Sequence, residues 1–426
     1  MKANLILEDG TVFSGEHFGA CREVVCEMVF NTGLTGYLEL LTDASYAGQG
    51  LIMASPLIGN YGVFTKYSEA WRPWAEALVV RDLSKIADDA RNAEDLESYL
   101  TRYGIPVLTK VDTRSLTLHL RDYGTMKGMI TTGEDYQMDD CLRKIRQFNN
   151  DQPVPKVSCR QPVFYPAGLI GRTAELPETV IPEGQQDPDM KPGILSGQAN
   201  ADHTCLQKKG HALFGAVDVD DMKPESSEVQ GAEPPLKIAL LDFGVKQNII
   251  WNLTRRGCHV YVFPWNTTAG EIMQIQPDGL VLSNGPGDPQ QCRAVLENIK
   301  AFYDASVPIL AICLGHQLLA MAHGAETAKL KYGHRGINHP VKDVESQRVT
   351  ITSQNHGYVI MEHTINSAVS AVSHIHVNDG SVEGLRYPGK PVISVQFHPE
   401  GAPGPQDSEY LFNDFLTLMA NENGGV

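Results

Sequence analysis

From residue 236 onward, short and almost uninterrupted apolar runs alternate with helical patterns. The apolar runs cover residues 236–242, 258–263, 279–283 and 308–312. Strands with so few polar residues are buried on both faces, which is typical of a parallel sheet covered by helices on either side. The sequence therefore predicts an α/β fold with an open, mostly parallel sheet for residues 236–426.

Helical patterns fill the intervals between these runs. They cover residues 245–255 and 290–303, a stretch after residue 312 that ends at Gly324, and residues 408–419. In the last of these, Leu411, Phe415, Leu418 and Met419 form one apolar stripe, so this helix is expected to pack on the core.

Residues 1–150 have a different pattern, in which short β-like runs are separated by turns that contain glycine. The predicted strands are residues 3–7, 24–30, 77–80 and 107–109, and the main helical patterns are residues 93–103 and 139–148. This mixture predicts a separate N-terminal α+β domain.

Residues 151–235 are rich in proline and glycine. This stretch carries 11 of the 25 prolines of the chain and shows little periodicity. Such a composition buries little apolar surface for each residue that becomes ordered. We therefore interpret residues 151–235 as a long linker or a surface insertion between two domains.

Charge and apolar patterning exclude several classes of protein. The net charge of −16 disfavours binding to nucleic acid or to an anionic membrane. The longest apolar run, residues 307–314, is far shorter than the roughly 20 residues of a membrane-spanning helix. Glu8 and Asp9 precede any signal-peptide core, and the eight cysteines form no CxxC pair. We expect a soluble, cytoplasmic enzyme without a metal site.

Cys313 lies where the run over residues 308–312 meets the following helix. Functional groups gather at the carboxyl ends of strands in open α/β sheets. Small neighbours, Ala311 and Gly315, suit a tight strand–nucleophile–helix turn, and the helix N-terminus favours a thiolate. Cys313 is thus a candidate nucleophile, although an ordinary buried cysteine is the alternative.

His398 and Glu400 follow another strand, over residues 391–397. Positions i and i+2 share a face in extended chain, so both side chains can point the same way. His398 could then act as the base for Cys313 while Glu400 orients its ring. A third strand end carries the run SNGPGDP (residues 283–289), in which the amide of Gly285, paired with that of Leu314, would form an oxyanion hole. A phosphate cradle and a plain turn are the alternatives for this run.

Three motifs in this order, AICLGHQ, TSQNHGY and QFHPE, resemble a class I glutamine amidotransferase domain of the triad type. NTGLTGYLELLTDASYAGQ, PLIGNYGV and VDTRSLT resemble the N-terminal domain of the small-subunit family of carbamoyl-phosphate synthase, and YGHRGINHPV resembles the same family. The matches span roughly residues 3–150 and 236–420. The long stretch over residues 151–235 departs from the short connection that is usual in this family.

This resemblance implies a role for each matched residue. Cys313 would attack the side-chain amide of L-glutamine, with His398 as acid and base and Glu400 as the group that orients it. The glutamine pocket would be formed by Ser45, Gly285, Gly287, Leu314, Gln317, Asn355, Gly357 and Tyr358. Simpler structural roles stay open for three of them: Gln317 could face a helix neighbour, Asn355 could cap a turn, and Ser45 could be a loop hydroxyl.

The resemblance also implies a partner. In this family, ammonia passes to a large synthetase subunit that makes carbamoyl phosphate from bicarbonate and ATP. We expect no cofactor in this chain, and ATP and Mg²⁺ in the large subunit. The alternatives are a glutaminase subunit of another synthase, a free-standing hydrolase of γ-glutamyl substrates, and a non-catalytic scaffold for a large subunit.

Overall fold

The fold is described from a computed structural model of the chain. It describes residues 1–84, 94–133, 135–169 and 234–423. Most of the stretch interpreted as a linker or insertion, residues 170–233, lies outside the described residues. So does residue 93, the first residue of one predicted helix.

Seven strands of the N-terminal part close into a barrel in the order β1-β2-β8-β6-β4-β3-β9. A separate pair, β5 and β7, runs parallel beside it. The strands in chain order are β1 (Lys2–Leu7), β2 (Val12–Gly19), β3 (Val24–Asn31), β4 (Gln49–Met53), β5 (Leu57–Ile58), β6 (Ala77–Val79), β7 (Asp82–Leu83), β8 (Pro106–Thr109) and β9 (Met126–Ile130).

The barrel closes because β1 pairs antiparallel with both β2 and β9. Its inward-facing side chains, among them Leu5, Met28 and Leu108, are fully buried in one apolar cluster. Closure leaves this sheet without a free edge, so its strands offer no row of unpaired backbone groups to another chain. The predicted strands and the α+β character agree with this arrangement, but the barrel itself was not predicted.

Four helices accompany the barrel, namely α1 (Tyr37–Thr42), α2 (Leu96–Arg102), α3 (Thr113–Tyr123) and α4 (Met138–Gln147). Asp95 and Asp112 cap α2 and α3 by accepting hydrogen bonds from the N–H groups of Ser98 and Ser115. The predicted helices over residues 93–103 and 139–148 correspond to α2 and α4. After α1, Asp43 caps a single 3₁₀ turn, Ala44–Tyr46, by accepting a hydrogen bond from the N–H of Ser45.

The C-terminal sheet has ten strands in the order β10-β12-β11-β13-β14-β19-β18-β17-β15-β16. Its strands in chain order are β10 (Val163–Tyr165), β11 (Lys237–Asp242), β12 (His259–Pro264), β13 (Gly279–Leu282), β14 (Ile309–Ile312), β15 (Thr327–Asp343), β16 (Val349–Ile360), β17 (Ala371–His376), β18 (Val382–Arg386) and β19 (Val392–Val395).

The centre of this sheet is parallel, and its two ends are antiparallel. Strands β12, β11, β13, β14 and β19 pair parallel to one another. Strands β18, β17, β15 and β16 extend this core by antiparallel pairings. The α/β fold class is confirmed. The sheet as a whole is mixed, because antiparallel strands, among them the long hairpin of β15 and β16, extend its parallel core. The apolar runs predicted that parallel core.

The helices of this part are α6 (Gln247–Thr254), α7 (Ala269–Met273), α8 (Leu296–Asp304), α9 (Leu314–Ala322) and α10 (Tyr410–Asn423). Four of them match predicted helices, namely those over residues 245–255, 290–303 and 408–419 and the one predicted to end at Gly324, which is α9. A 3₁₀ segment, Pro289–Val295, precedes α8. Phe412, Phe415 and Met419 of α10 are fully buried in the apolar cluster of the sheet. Within the described ranges, no helix is long and apolar enough to span a membrane.

A short helix, α5 (Pro153–Val157), and strand β10 fall within the stretch interpreted as a linker. Strand β10 pairs antiparallel with β12 and so forms one edge of the C-terminal sheet. The backbone N–H of Cys159 donates to the buried carboxylate of Asp242 at 2.7 Å. These residues thus pack on the C-terminal sheet, while the domain boundaries at residues 150 and 235 stay a prediction.

Candidate active site

Cys313 lies at the carboxyl end of β14 and directly precedes α9. Its backbone has φ +53° and ψ −103°, a conformation that is rare for a residue with a side chain. A strained strand-to-helix turn of this kind holds a nucleophile out from the backbone. The thiol contacts the backbone carbonyl of Asn355, with Sγ and O 3.8 Å apart. The local geometry is therefore that of a nucleophile elbow.

The turn needs a glycine directly after the first helical residue. A Cβ atom at Gly315 would overlap the carbonyl oxygen of Leu282 in β13. The close approach lets the N–H of Gly315 donate to the carbonyl of Ser283 at 3.0 Å. The alanine at position 311 is fully buried in β14 and fits there without a glycine.

His398 and Glu400 lie beyond the end of β19 and are fully buried. His398 Nδ1 is 2.6 Å from Glu400 Oε1, and the N–H of His398 donates to the carbonyl of Ser353 at 3.0 Å. No described group accepts or donates a hydrogen bond of standard geometry at His398 Nε2. The ring is thus fixed on one side and available on the other.

The electrostatics of this pair favour the charged forms of both groups. Burial and the charge of Lys246 lower the pKa of His398, but Glu400 and an interaction with Cys313 outweigh them and raise it to about 10. Burial raises the pKa of Glu400, whereas Lys246 and His398 lower it to about 2. Each member of the pair therefore favours the charged form of the other.

Lys246 is a buried cation in direct contact with this pair. Its Nζ lies 3.0 Å from Glu400 Oε1 and 3.8 Å from Asp43 Oδ2, and it donates to the carbonyl of Ala402 at 2.8 Å. Burial lowers the pKa of Lys246, but Glu400, Asp43 and Glu69 together raise it above its ordinary range. Asp43 and Glu69 come from the N-terminal part of the chain, so the barrel contributes charge to the surroundings of Glu400.

A cavity of about 310 Å³ opens in front of Cys313 between the barrel and the C-terminal sheet. Its lining includes eight of the eleven predicted site residues: Ser45, Gly285, Gly287, Cys313, Gln317, Asn355, Gly357 and Tyr358. The other three do not line it. Leu314, the first residue of α9, is buried next to Cys313 in sequence. His398 and Glu400 are fully buried.

The polar side chains of the cavity are already partly engaged. The Gln317 amide nitrogen donates to the carbonyl of Tyr358 at 2.8 Å and to Gln396 Oε1 at 2.9 Å, which leaves its oxygen for a ligand. Asn355 donates from Nδ2 to Asp43 Oδ2 at 2.9 Å. Ser45 Oγ accepts from Asn284 Nδ2 at 3.0 Å, so the serine hydroxyl can still donate. Ser45 and Asn355 therefore connect the two parts of the chain as well as lining the cavity.

The two glycines of the SNGPGDP run are required by close contacts. A Cβ atom at Gly285 would overlap the carbonyl oxygen of Phe243, and one at Gly287 would overlap Pro153. Gly287 also has φ +88°, a conformation that favours glycine. The backbone of this run can therefore come close to a ligand that contacts Cys313.

Sequence reasoning missed three charged residues of this region: Lys246, Asp43 and Arg335. Arg335 lines the cavity from β15, is 5% exposed, and donates from Nη1 to the carbonyl of Tyr332 at 2.7 Å. Burial lowers its pKa, while Glu27, Tyr46 and Cys313 oppose that change. Lys246 could have been found from its position, since it lies just beyond the carboxyl end of β11.

Two further histidines occur within the matched motifs. His316 is fully buried, and its Nδ1 is 2.7 Å from Ser394 Oγ; burial lowers its pKa to about 3, so it is neutral. His356 Nδ1 is 2.8 Å from the carbonyl of Tyr358, and burial lowers its pKa as well. Both contacts are those of structural histidines.

Comparison with known proteins defines first the class and then the family. The family model "Glutamine amidotransferase class-I" matches residues 239–418, the part that carries Cys313, His398 and Glu400. The model "Carbamoyl-phosphate synthase small chain, CPSase domain" matches residues 5–130, most of the barrel.

Similar full-length chains give the same result. The chain is 40% identical over 416 residues to the carbamoyl phosphate synthase small chain of Clostridium perfringens, covering 98% of this chain and 99% of that one. It is 40% identical over 425 residues to the small chain of Bacillus caldolyticus, covering 99% and 98%. A pyrimidine-specific small chain of Lactiplantibacillus plantarum is 37% identical over 420 residues, covering 99% and 96%.

The chain therefore belongs to the carbamoyl phosphate synthase small chain family. Its enzyme class is that of a glutamine amidotransferase, as the motifs AICLGHQ, TSQNHGY and QFHPE predicted.

Proposed function

We propose that this chain hydrolyses L-glutamine at Cys313, with His398 and Glu400, and passes the ammonia to a large carbamoyl-phosphate synthase subunit. The observation that supports this most strongly is the arrangement around His398. Glu400 fixes one nitrogen of its ring at 2.6 Å, while Cys313 contributes to the raised pKa of the same ring. A thiol on a strained turn beside an oriented imidazole is suited to acyl transfer.

In the first half-reaction, the Cys313 thiolate attacks the side-chain amide carbon of glutamine. The carbonyl π bond becomes an oxyanion, and the imidazolium of His398 donates its proton to the amide nitrogen as the C–N bond breaks. Ammonia leaves and a thioester remains. Because His398 is held in its charged form, the proton that the leaving group needs is already in place.

In the second half-reaction, water attacks the thioester. His398, now neutral, accepts a proton from the water, and the C–S bond breaks to release glutamate and regenerate the thiolate. Glu400 stabilises the imidazolium that forms in this step. Over both halves, glutamine and water give glutamate and ammonia.

The oxyanion of each half-reaction would be stabilised by the backbone N–H groups of Gly285 and Leu314. As the first residue of α9, Leu314 has an N–H without an acceptor inside the helix. Gly285 lines the cavity beside Cys313 and packs so closely on Phe243 that a side chain would be excluded.

The amino-acid end of glutamine would be bound by the polar groups of the cavity. Gln317 Oε1 is an acceptor suited to the α-ammonium group, and the Ser45 hydroxyl is a donor suited to the α-carboxylate. Asn355, Gly287, Gly357 and Tyr358 would complete the walls around the aliphatic part. Arg335 adds a positive charge near Cys313, where negative charge develops.

The carbamoyl phosphate step would belong to the large subunit, which would use bicarbonate and ATP with Mg²⁺. We propose that this chain acts in the cytoplasm. We also propose that it hydrolyses glutamine without a cofactor, because the groups that the reaction needs are all amino-acid side chains and backbone amides.

The test is ammonia release from glutamine by the purified chain, alone and with a large subunit from the same source. We expect weak release alone, strong stimulation by the partner, and a loss of at least about 10⁴-fold in Cys313→Ala. Synthesis from added ammonia by the Cys313→Ala complex should persist, since it bypasses the thiol.

Three results would contradict the proposal. Glutamine use by Cys313→Ala would exclude Cys313 as the nucleophile. Release that is strong and insensitive to the large subunit would indicate an independent hydrolase. No release with either preparation would indicate a scaffold.

A further inference from the structure

Three histidines gather beside the antiparallel strands of the C-terminal sheet, away from Cys313. His334 and His339 come from β15, and His376 ends β17. The rings of His334 and His376 stack with centroids 4.3 Å apart, and the ring of His339 lies 5.3 Å from each of them. The proposed hydrolysis of glutamine uses none of the three, and none lines the cavity in front of Cys313.

The nitrogen atoms of these rings converge. His339 Nδ1 and His376 Nε2 are 3.0 Å apart, and His334 Nε2 is 2.8 Å from Asp379 Oδ2. One nitrogen from each histidine lies within 4.8 Å of the other two. Two imidazole nitrogens on one tetrahedral zinc ion, each about 2.0–2.1 Å from the metal, are roughly 3.3 Å apart. Small side-chain shifts would therefore admit an ion between them.

We propose that His334, His339, His376 and Asp379 bind one divalent transition-metal ion. Three imidazole nitrogens and one carboxylate oxygen suit Zn²⁺, Co²⁺ or Ni²⁺ better than Mg²⁺ or Ca²⁺, which prefer oxygen ligands. The ion would replace the hydrogen bonds that now join His339 to His376 and His334 to Asp379.

Carboxylates behind the rings support this assignment. His334 Nδ1 is 3.3 Å from Oε1 of the fully buried Glu383, which leaves Nε2 for a metal. The backbone N–H of Asn378 donates to His376 Nδ1 at 3.3 Å, and His376 Nδ1 lies 3.4 Å from Asp379 Oδ1. The contact between His334 Nδ1 and Glu383 is of the kind that orients a metal-binding imidazole. Metal-bound histidines commonly donate their second N–H to a carboxylate in this way.

A second group, His334 with His356 and Glu383, also has three atoms close enough for a metal, but all three residues are buried. The group with His339 and Asp379 is reached from solvent more easily. The Asp379 side chain is 45% exposed, and His339 is partly exposed. We therefore place the ion on this outer side, where it would link β15 to the turn after β17.

The test is the number of zinc ions that each chain retains after dialysis against limiting Zn²⁺, measured by mass spectrometry. The native chain is compared with His376→Ala and with His363→Ala, which removes an exposed histidine outside the cluster. We expect the native chain and His363→Ala to retain one more zinc ion per chain than His376→Ala. Zinc bound by Cys313 would be common to all three chains and would cancel.

The thermal unfolding midpoint gives a second readout that does not depend on activity. Zn²⁺ should raise it in the native chain and in His363→Ala, but not in His376→Ala. If His376→Ala fails to fold, Asp379→Asn is used in its place in both measurements. That variant is expected to fold, because the change is isosteric and lies at an exposed position. That variant should bind zinc at least about 10-fold more weakly than the native chain. Equal zinc retention by the native chain and the folded variants would overturn the proposal.

Discussion

The barrel and the C-terminal sheet contribute different kinds of groups to the cavity. The three groups proposed as the catalytic triad, Cys313, His398 and Glu400, all follow the carboxyl ends of parallel strands in the sheet. The barrel contributes Ser45 to the wall and Asp43 behind it, and neither is assigned a chemical step. Open α/β sheets usually carry their reactive groups at this edge.

The barrel nevertheless acts on the reactive groups through Lys246. Asp43 of the barrel and Glu400 of the sheet share the same buried ammonium group. Glu69 also reaches the start of α6, where its Oε2 accepts from the N–H of Asn248 at 3.0 Å. The sheet thus supplies the groups proposed for the reaction, and the N-terminal part supplies a carboxylate that shares Lys246 with Glu400.

Lys246→Met should have the largest effect on stability, because it removes the ammonium group that Glu400 and Asp43 share. The change leaves the carboxylates of Glu400 and Asp43 buried without their shared cation, and losing one partner of a buried ion pair is costly. We expect the free energy of unfolding, measured by urea denaturation, to fall by about 3 kcal/mol.

Lys300→Met is the matched control for that variant. Lys300 pairs with Asp304 on the surface of α8, at 3.1 Å, and both side chains are about half exposed. This change should alter the free energy of unfolding by less than about 0.5 kcal/mol. Similar decreases in the free energy of unfolding for the two variants would show that the buried network of Lys246 contributes no more to stability than a surface ion pair.

Glu400→Gln tests the sheet side of the network. Lys246 keeps Asp43 and the carbonyl of Ala402 as partners, so the fold should persist. We expect kcat/KM for glutamine hydrolysis to fall by about 10²-fold, because the imidazolium loses its stabilising carboxylate. Glu362→Gln, at an exposed position, should have no effect.

The pH profile of Glu400→Gln distinguishes orientation from a general structural effect. Glu400 raises the pKa of His398, so its removal should lower that pKa from about 10. The limb of the profile on which activity falls as pH rises should then shift to lower pH. Full activity with an unchanged profile would remove Glu400 from the assigned triad.

Ser45→Ala tests the barrel side with the smallest expected effect. The hydroxyl offers one hydrogen bond to glutamine, so its loss should raise KM by about 5-fold and leave kcat nearly unchanged. Ser14→Ala is a control, because Ser14 donates to Asn4 within the barrel at 2.7 Å and does not line the cavity. An unchanged KM in Ser45→Ala would show that the Ser45 hydroxyl does not bind glutamine and serves only as the acceptor for Asn284.

The parallel core was predictable because its signals are local. Apolar runs marked β11, β13 and β14, and the positions of Cys313 and His398 at strand ends placed them at one edge of a sheet. The long hairpin of β15 and β16 was missed because charged and polar residues interrupt its apolar pattern, as at Lys329 and His334. Barrel closure was missed because β2, β4 and β9 were not predicted as strands, and because closure depends on a pairing between distant segments, β1 with β9.

Contacts between distant parts of the chain could not be predicted in the same way. Asp43 and Asn355 are separated by 312 positions in sequence, yet their side chains are hydrogen-bonded. Nothing local indicates that a carboxylate next to a 3₁₀ turn will meet a lysine after β11. Only the packing of the barrel on the sheet brings Asp43, Lys246 and Glu400 together.

The buried lysine shared by carboxylates of both parts limits how this chain can be rearranged. Grafting the sheet onto an unrelated scaffold would leave Lys246 with one fewer counter-charge, and grafting the barrel elsewhere would bury Asp43 without a cation. Substitutions at positions 43, 246 and 400 should therefore be tolerated mainly in combination. Chimeras between relatives should keep these three positions from a single parent.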